Sequence, residues 1–149
     1  MNGTFTRFAL LLILPLTLLA SGCSKEKVHI TSAAVVNKDK GSGNFDRVFK
    51  ICFDKPIRSE YYHKVTLITY ENVTIKGEGR LRPLASDPDN KCQLKNIYLY
   101  INRNSPPNAR QLIHDYVKPG NIRLLKVQIY FDKPEGKEPA VDEKTFRDL

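Results

Sequence analysis

Short apolar stretches with alternating side chains, separated by turn residues, constrain this chain more than any other feature. A period of two is the mark of half-buried strands, and it recurs along most of the sequence. In residues 45–53, Phe45, Phe49, Ile51 and Phe53 share one face, and Val48 and Cys52 point the other way. Residues 28–36 are rich in β-branched side chains and read as a preceding strand, joined through a polar, glycine-bearing connection at 37–44. Pro56 closes the second strand, and a loop carrying Arg58, Glu60, Tyr61, Tyr62 and His63 leads into a third at 65–70. Val73, Ile75 and Leu81 mark a further strand, which Gly77 and Gly79 interrupt in the manner of a bulge or tight hairpin. After a turn at 86–91, residues 92–101 alternate again and read as a central strand. There Cys92, Leu94, Tyr98 and Tyr100 oppose Ile97, Leu99 and Ile101. The last strand is 122–131, with Leu125, Val127, Ile129 and Phe131 on one face.

One segment breaks the pattern. Ala109, Leu112, Ile113, Tyr116 and Val117 recur at helical spacing. Ser105 is placed to cap this helix, Pro106 and Pro107 suit its first turn, and Pro119-Gly120 stops it. Six or seven short strands with one helix before the last predict an immunoglobulin-like or transthyretin-like β-sandwich with one inserted helix, over 28–131. Residues 132–149 are charged and proline-bearing and read as a mobile tail, with one helical turn near 142–147. Phe53-Asp54-Lys55-Pro56 is echoed by Phe131-Asp132-Lys133-Pro134, which we read as two similar strand exits rather than a duplication.

The amino terminus carries Arg7, an apolar run over 8–19, and Leu-Thr-Leu-Leu-Ala-Ser-Gly-Cys at 16–23. This resembles the type II signal peptide of bacterial lipoproteins, in which small residues let a peptidase reach the backbone before a lipidated cysteine. Twelve apolar residues at about 1.5 Å rise each are too few to cross about 30 Å of hydrocarbon. The resemblance implies removal of 1–22, lipid on Cys23, and a short polar tether at 23–27. Ser24 in place of Asp implies sorting to the outer membrane, on its periplasmic face. The membrane, held through the lipid on Cys23, is then the first partner.

Removal of 1–22 leaves 127 residues, enough for one domain with a single core. That segment takes one basic residue and no acid from a chain of formal charge +8. The remaining surplus is interspersed with acids, as in Lys38-Asp39-Lys40 and Asp54-Lys55, and no run of like charge stands out. Anionic lipid, lipopolysaccharide phosphate or an acidic protein suits it better than nucleic acid, which we do not expect as a partner. The lipoprotein resemblance also implies an oxidising compartment, in which the two remaining cysteines, Cys52 and Cys92, pair as a disulfide. A metal site would need companions, and no C-x-x-C or H-x-x-x-H spacing exists.

No grouping calls for catalysis or a cofactor. His29, His63 and His114 are isolated, and His114-Asp115 falls off the helix's apolar stripe and reads as a solvated pair. There is no G-x-S-x-G elbow. Asp87-Pro88-Asp89-Asn90 lacks the glycine and closing glutamate of a calcium loop and reads as a turn. Tyr61 and Tyr62 with Arg58 form the strongest candidate contact group for a protein partner, since aromatic and Arg side chains anchor interfaces. Arg80, Arg82, Arg103 and Arg110 would form a second basic surface if they converge.

The stretch V-F-K-I-C-F-D-K-P-I at 48–57, followed by K-V-T-L-I-T-Y at 64–70, resembles small enterobacterial lipoproteins proposed as immunity proteins against type VI secretion effectors. That resemblance implies a non-enzymatic periplasmic binder of an incoming toxin. The alternative is a structural or pilot lipoprotein of an envelope secretion apparatus.

Overall fold

The structure, a computed structural model, describes residues 25–101 and 103–149; the expected signal segment and Cys23 lie outside them. Among the described residues, seven strands form two antiparallel sheets. The strands are β1 (Ile30–Gly41), β2 (Asn44–Phe53), β3 (Tyr61–Thr69), β4 (Thr74–Leu81), β5 (Cys92–Asn96), β6 (Ile122–Tyr130) and β7 (Asp142–Arg147). One sheet has the order β1-β2-β5 and the other β4-β3-β6-β7. A 3-10 turn, Ile97–Tyr100, and the helix α1, Ala109–Tyr116, lie between β5 and β6. The fold is mainly β, a sandwich with one inserted helix, as the alternating pattern predicts.

The core is the set of side chains the period of two turns inward. Ala33 and Val35 of β1 and Phe49, Ile51 and Phe53 of β2 meet Tyr61, Val65 and Leu67 of β3 and Leu125, Val127 and Ile129 of β6. Each of these is buried, and each large aliphatic or aromatic side chain contributes about 1.5–3 kcal/mol relative to exposure. Ala109, Ile113 and Val117 are the buried residues of the helical stripe.

Several sequence boundaries move. The expected connection at 37–44 is the arm of a hairpin: β1 and β2 pair out to Gly41 and Asn44, and Ser42 (φ 55°) and Gly43 (φ 77°) make a two-residue loop with positive φ at both positions. The expected central strand at 92–101 ends at Asn96 and lies at a sheet edge. The Asn96 side chain accepts the Tyr98 amide at 3.0 Å and caps the 3-10 turn, so Ile97 and Tyr100 are buried through helical rather than extended geometry. The helix starts at Ala109 behind Asn108, not at Ser105. Its last carbonyls, on Ile113 and His114, are capped by the Arg47 guanidinium from β2.

The expected helical turn at 142–147 is instead strand β7. Phe146 sits opposite Leu125 and packs against the core, while Asp142 accepts the Ile30 amide at 2.6 Å. Charged residues with a single apolar position suit an edge strand, whose outer face meets water.

Cys52 and Cys92 are bonded, S–S 2.05 Å, across directly opposed positions of β2 and β5. The Phe53 amide donates to the Lys91 carbonyl beside them at 2.9 Å. The expected pairing is therefore present, and it ties the edge strand β5 to the sheet.

The segment at 25–29 is fixed to one end of the sandwich. Lys25 reaches the Phe131 carbonyl and Asp132, both at 2.7 Å; Tyr61 donates to the Glu26 carbonyl; and the His29 amide donates to Asp54 at 2.8 Å. Both Phe-Asp-Lys-Pro exits thus serve the same task, holding the incoming chain.

The candidate functional site at the open edge of β4

Two polar side chains on the inner face of β5 define one edge of the molecule. Gln93 donates to the Arg82 carbonyl at 2.5 Å, and Lys95 donates to the Arg80 carbonyl at 2.9 Å. They close the gap between the two sheets at the carboxyl end of β4. Burial, with Arg82 nearby, holds the Lys95 ammonium below the usual lysine range.

At its amino end β4 is uncovered. Among the described residues no strand lies beyond it, and Val73, Thr74, Ile75 and Lys76 form one wall of a cleft of about 180 Å³. The other walls are Tyr100 and Ile101 after the 3-10 turn, Ser105 and Pro106, and Ala109, Leu112 and Ile113 of α1. The lining is mainly apolar, and Leu112 and Ile75 are partly exposed within it.

Tyr100 is held by an arrangement the glycines permit. A Cβ at Gly77 would stand 1.6 Å from the Tyr100 ring, so only glycine lets the ring lie against β4. The Tyr100 hydroxyl lies 2.7 Å from His63 Nε2, and a Cβ at Gly79 would approach the His63 ring to 3.3 Å. Phe49 closes the cluster, its ring centroid 5.3 Å from that of Tyr100. His63 is 1% exposed. Burial first, and the Lys95 charge second, lower its pKa to about 4, so the imidazole is neutral at pH 7. Among the described residues its Nδ1 has no hydrogen-bond partner, and the Gly79 main chain and the Glu78 carboxylate offset only part of the effect of burial. Burial likewise raises the Tyr100 phenol.

The expected contact group of Arg58, Tyr61 and Tyr62 is not a loop surface. Tyr61 begins β3 and points into the core, stacked near Phe131. Tyr62 is on the outer face of the same strand, opposite Tyr130 and only 8% exposed, and burial first, with Glu78 nearby, raises its phenol to about 12. Strand alternation, extended four residues earlier than the sequence suggests, sends the two rings to opposite faces. Arg58 is exposed and pairs with Asp89 at 2.8 Å. The second basic surface also divides: Arg80 and Arg82 converge on Glu60 at 2.6 and 2.7 Å, whereas Arg110 lies over the Tyr98 ring at 5.9 Å.

The remaining candidates take structural roles. Asp87 to Asn90 is a turn, with the Asn90 amide bonded to the Asp87 carbonyl at 3.2 Å. His114 and Asp115 form an exposed pair at 2.9 Å, and His29 is exposed near Asp142. Among the described residues no three metal-ligating side chains lie together, and no helix is long and apolar enough to cross a membrane.

Sequence reasoning missed the β4 edge. Its signal was the glycine pair opposite two aromatics, which reads equally well as a bulge. No family model matches the chain, and no curated protein or solved structure matches it.

Proposed function

We propose that this chain is an outer-membrane-anchored periplasmic lipoprotein that acts as a non-enzymatic protein-binding module. In this reading it is an immunity protein that occupies an incoming secreted toxin. The observation that carries the reading is the apolar cleft along the uncovered edge of β4. An open strand edge is a template for pairing with another chain, and native proteins usually block it unless it is used. The placement supports the anchored reading as well. Leu81, at the other end of β4, sits opposite Tyr61, which holds the incoming segment at Glu26. A lipid two residues before Lys25 would therefore keep that end at the bilayer and turn the cleft towards the periplasm.

The anchor is tested by fractionation of wild type and Cys23→Ala. The wild type is expected in the outer membrane and the variant in the soluble periplasm; equal distributions would reject the lipid on Cys23. The binding role is tested by brief crosslinking in the native host and mass spectrometry of what co-purifies with wild type and with Leu112→Asp. A toxin-like protein lost in the variant supports immunity. Subunits of an envelope machine would support a structural or pilot role instead, and capture unaffected by Leu112→Asp would remove the cleft as the binding site.

A further inference from the structure

We propose that the cleft takes an extended, carboxylate-bearing segment of the partner protein, which adds to β4 as a new strand and seats one apolar side chain against Ile75, Ala109 and Leu112. This rests on the cleft being the partner-binding site.

The first argument is the edge itself. Main-chain groups of a strand alternate between its two edges, and the Arg80 carbonyl faces away from β3, since it accepts from Lys95. By the same period, the amides and carbonyls of Thr74, Lys76 and Glu78 face that open edge. Among the described residues no side chain bonds them; only Arg80 and Arg82 are served, by Lys95 and Gln93. A guest strand thus has a defined stop at Arg80 and a free template over 74–78. Five residues at about 3.4 Å each give a paired length of roughly 17 Å.

The second argument is volume. A cavity of about 150 Å³ holds benzene, whereas drug-sized ligands need about 300–1,000 Å³. At about 180 Å³ the cleft matches one aromatic or branched side chain. Backbone pairing with a pocket for one side chain is the geometry of strand addition.

The third argument is charge. Lys76 is the single charged residue of the lining, and Arg103 and Arg110 are exposed on the wall segment 97–113, which carries no acid. None of the three joins an ion pair among the described residues. Glu78, on the strand itself, lies 3.9 Å from Lys133. Arg110 lies over the Tyr98 ring, so an acidic guest meets cations that have no carboxylate partner here, and a basic one meets repulsion.

The test is selection of a random twelve-residue peptide library on the full lipidated chain in detergent micelles at low salt. Enriched peptides are expected to carry net negative charge and alternating apolar residues. A synthetic peptide of the enriched sequence should lose at least tenfold in affinity against Lys76→Glu/Arg110→Glu, and again when its alternate amide nitrogens are methylated. The amides of Lys76 and Glu78 should gain protection from hydrogen exchange on binding. Absence of enrichment, enrichment of neutral or basic peptides, or indifference to methylation would each overturn strand addition. Both substituted residues are exposed, and thermal melts followed by circular dichroism verify the fold. If the host partner is lost in Leu112→Asp while the peptide test fails, the binding site stands and only strand addition falls. If the partner is retained in Leu112→Asp, the site itself is wrong.

Discussion

Acidification between pH 6.5 and 4 is expected to unload the core through His63. Its folded pKa is about 4 against an ordinary value of 6.5, a depressed folded value, so the unfolded chain binds a proton the folded chain refuses. The stability associated with neutral His63 is therefore fully present above pH 6.5 and is lost as pH falls towards 4. Each pKa unit is worth about 1.4 kcal/mol, which gives about 3 kcal/mol for the whole interval and about 2 kcal/mol by pH 5. The groups facing the ring from packed elements are the Tyr100 hydroxyl, the Gly79 main chain, the Lys95 ammonium and the Glu78 carboxylate. Lys95 adds to the effect and Glu78 opposes it. Carboxylates whose pKa is lowered in the fold, such as Asp54 and Glu60, titrate below their ordinary values near 4 and act mainly at the acid end. The chain has no Trp, so urea unfolding followed by far-ultraviolet circular dichroism at pH 7.5, 6 and 5 is the suitable assay. His63→Phe should be less stable at pH 7.5, because the Tyr100 hydroxyl loses its partner, yet flatter with pH. A variant that loses the same 2 kcal/mol between pH 7.5 and 5 as the wild type would refute the reasoning.

Gly77→Ala should destabilise by about 1–3 kcal/mol through overpacking on Tyr100. Combining it with Tyr100→Ala should give less than the sum of the single effects in urea midpoints. Removing the disulfide as Cys52→Ala/Cys92→Ala, across 40 residues of sequence, should cost about 4 kcal/mol on the chain-entropy model, read from chemical denaturation. Arg47→Met strips the cap from the Ile113 and His114 carbonyls and should speed hydrogen exchange in α1 by about tenfold, with little change in β3 or β6.

What the sequence determined by itself is what local periodicity encodes. Phe49, Ile51 and Phe53, or Leu125, Val127 and Ile129, can bury together only as strands, and Ala109, Ile113 and Val117 only on a helix; the structure places all of them in or against the core. The cysteine pair was legible too, once an oxidising compartment was inferred. Tertiary structure alone decided features that depend on distant partners. Residues 142–147 carry no apolar alternation, and they become β7 because β6 offers an unpaired edge and Leu125 a seat for Phe146. Residues 61–63 read as a loop of recognition aromatics because their polar neighbours mask the period, yet pairing with 79–81 and 129–130 draws them into β3. The candidate site lies furthest from local coding. It is made by the absence, among the described residues, of a neighbouring strand along half of β4, by Gly77 yielding space to Tyr100, and by Lys95 and Gln93 closing the remainder of that edge. No spacing in the chain specifies those distances, because they are set only when two sheets and one helix meet.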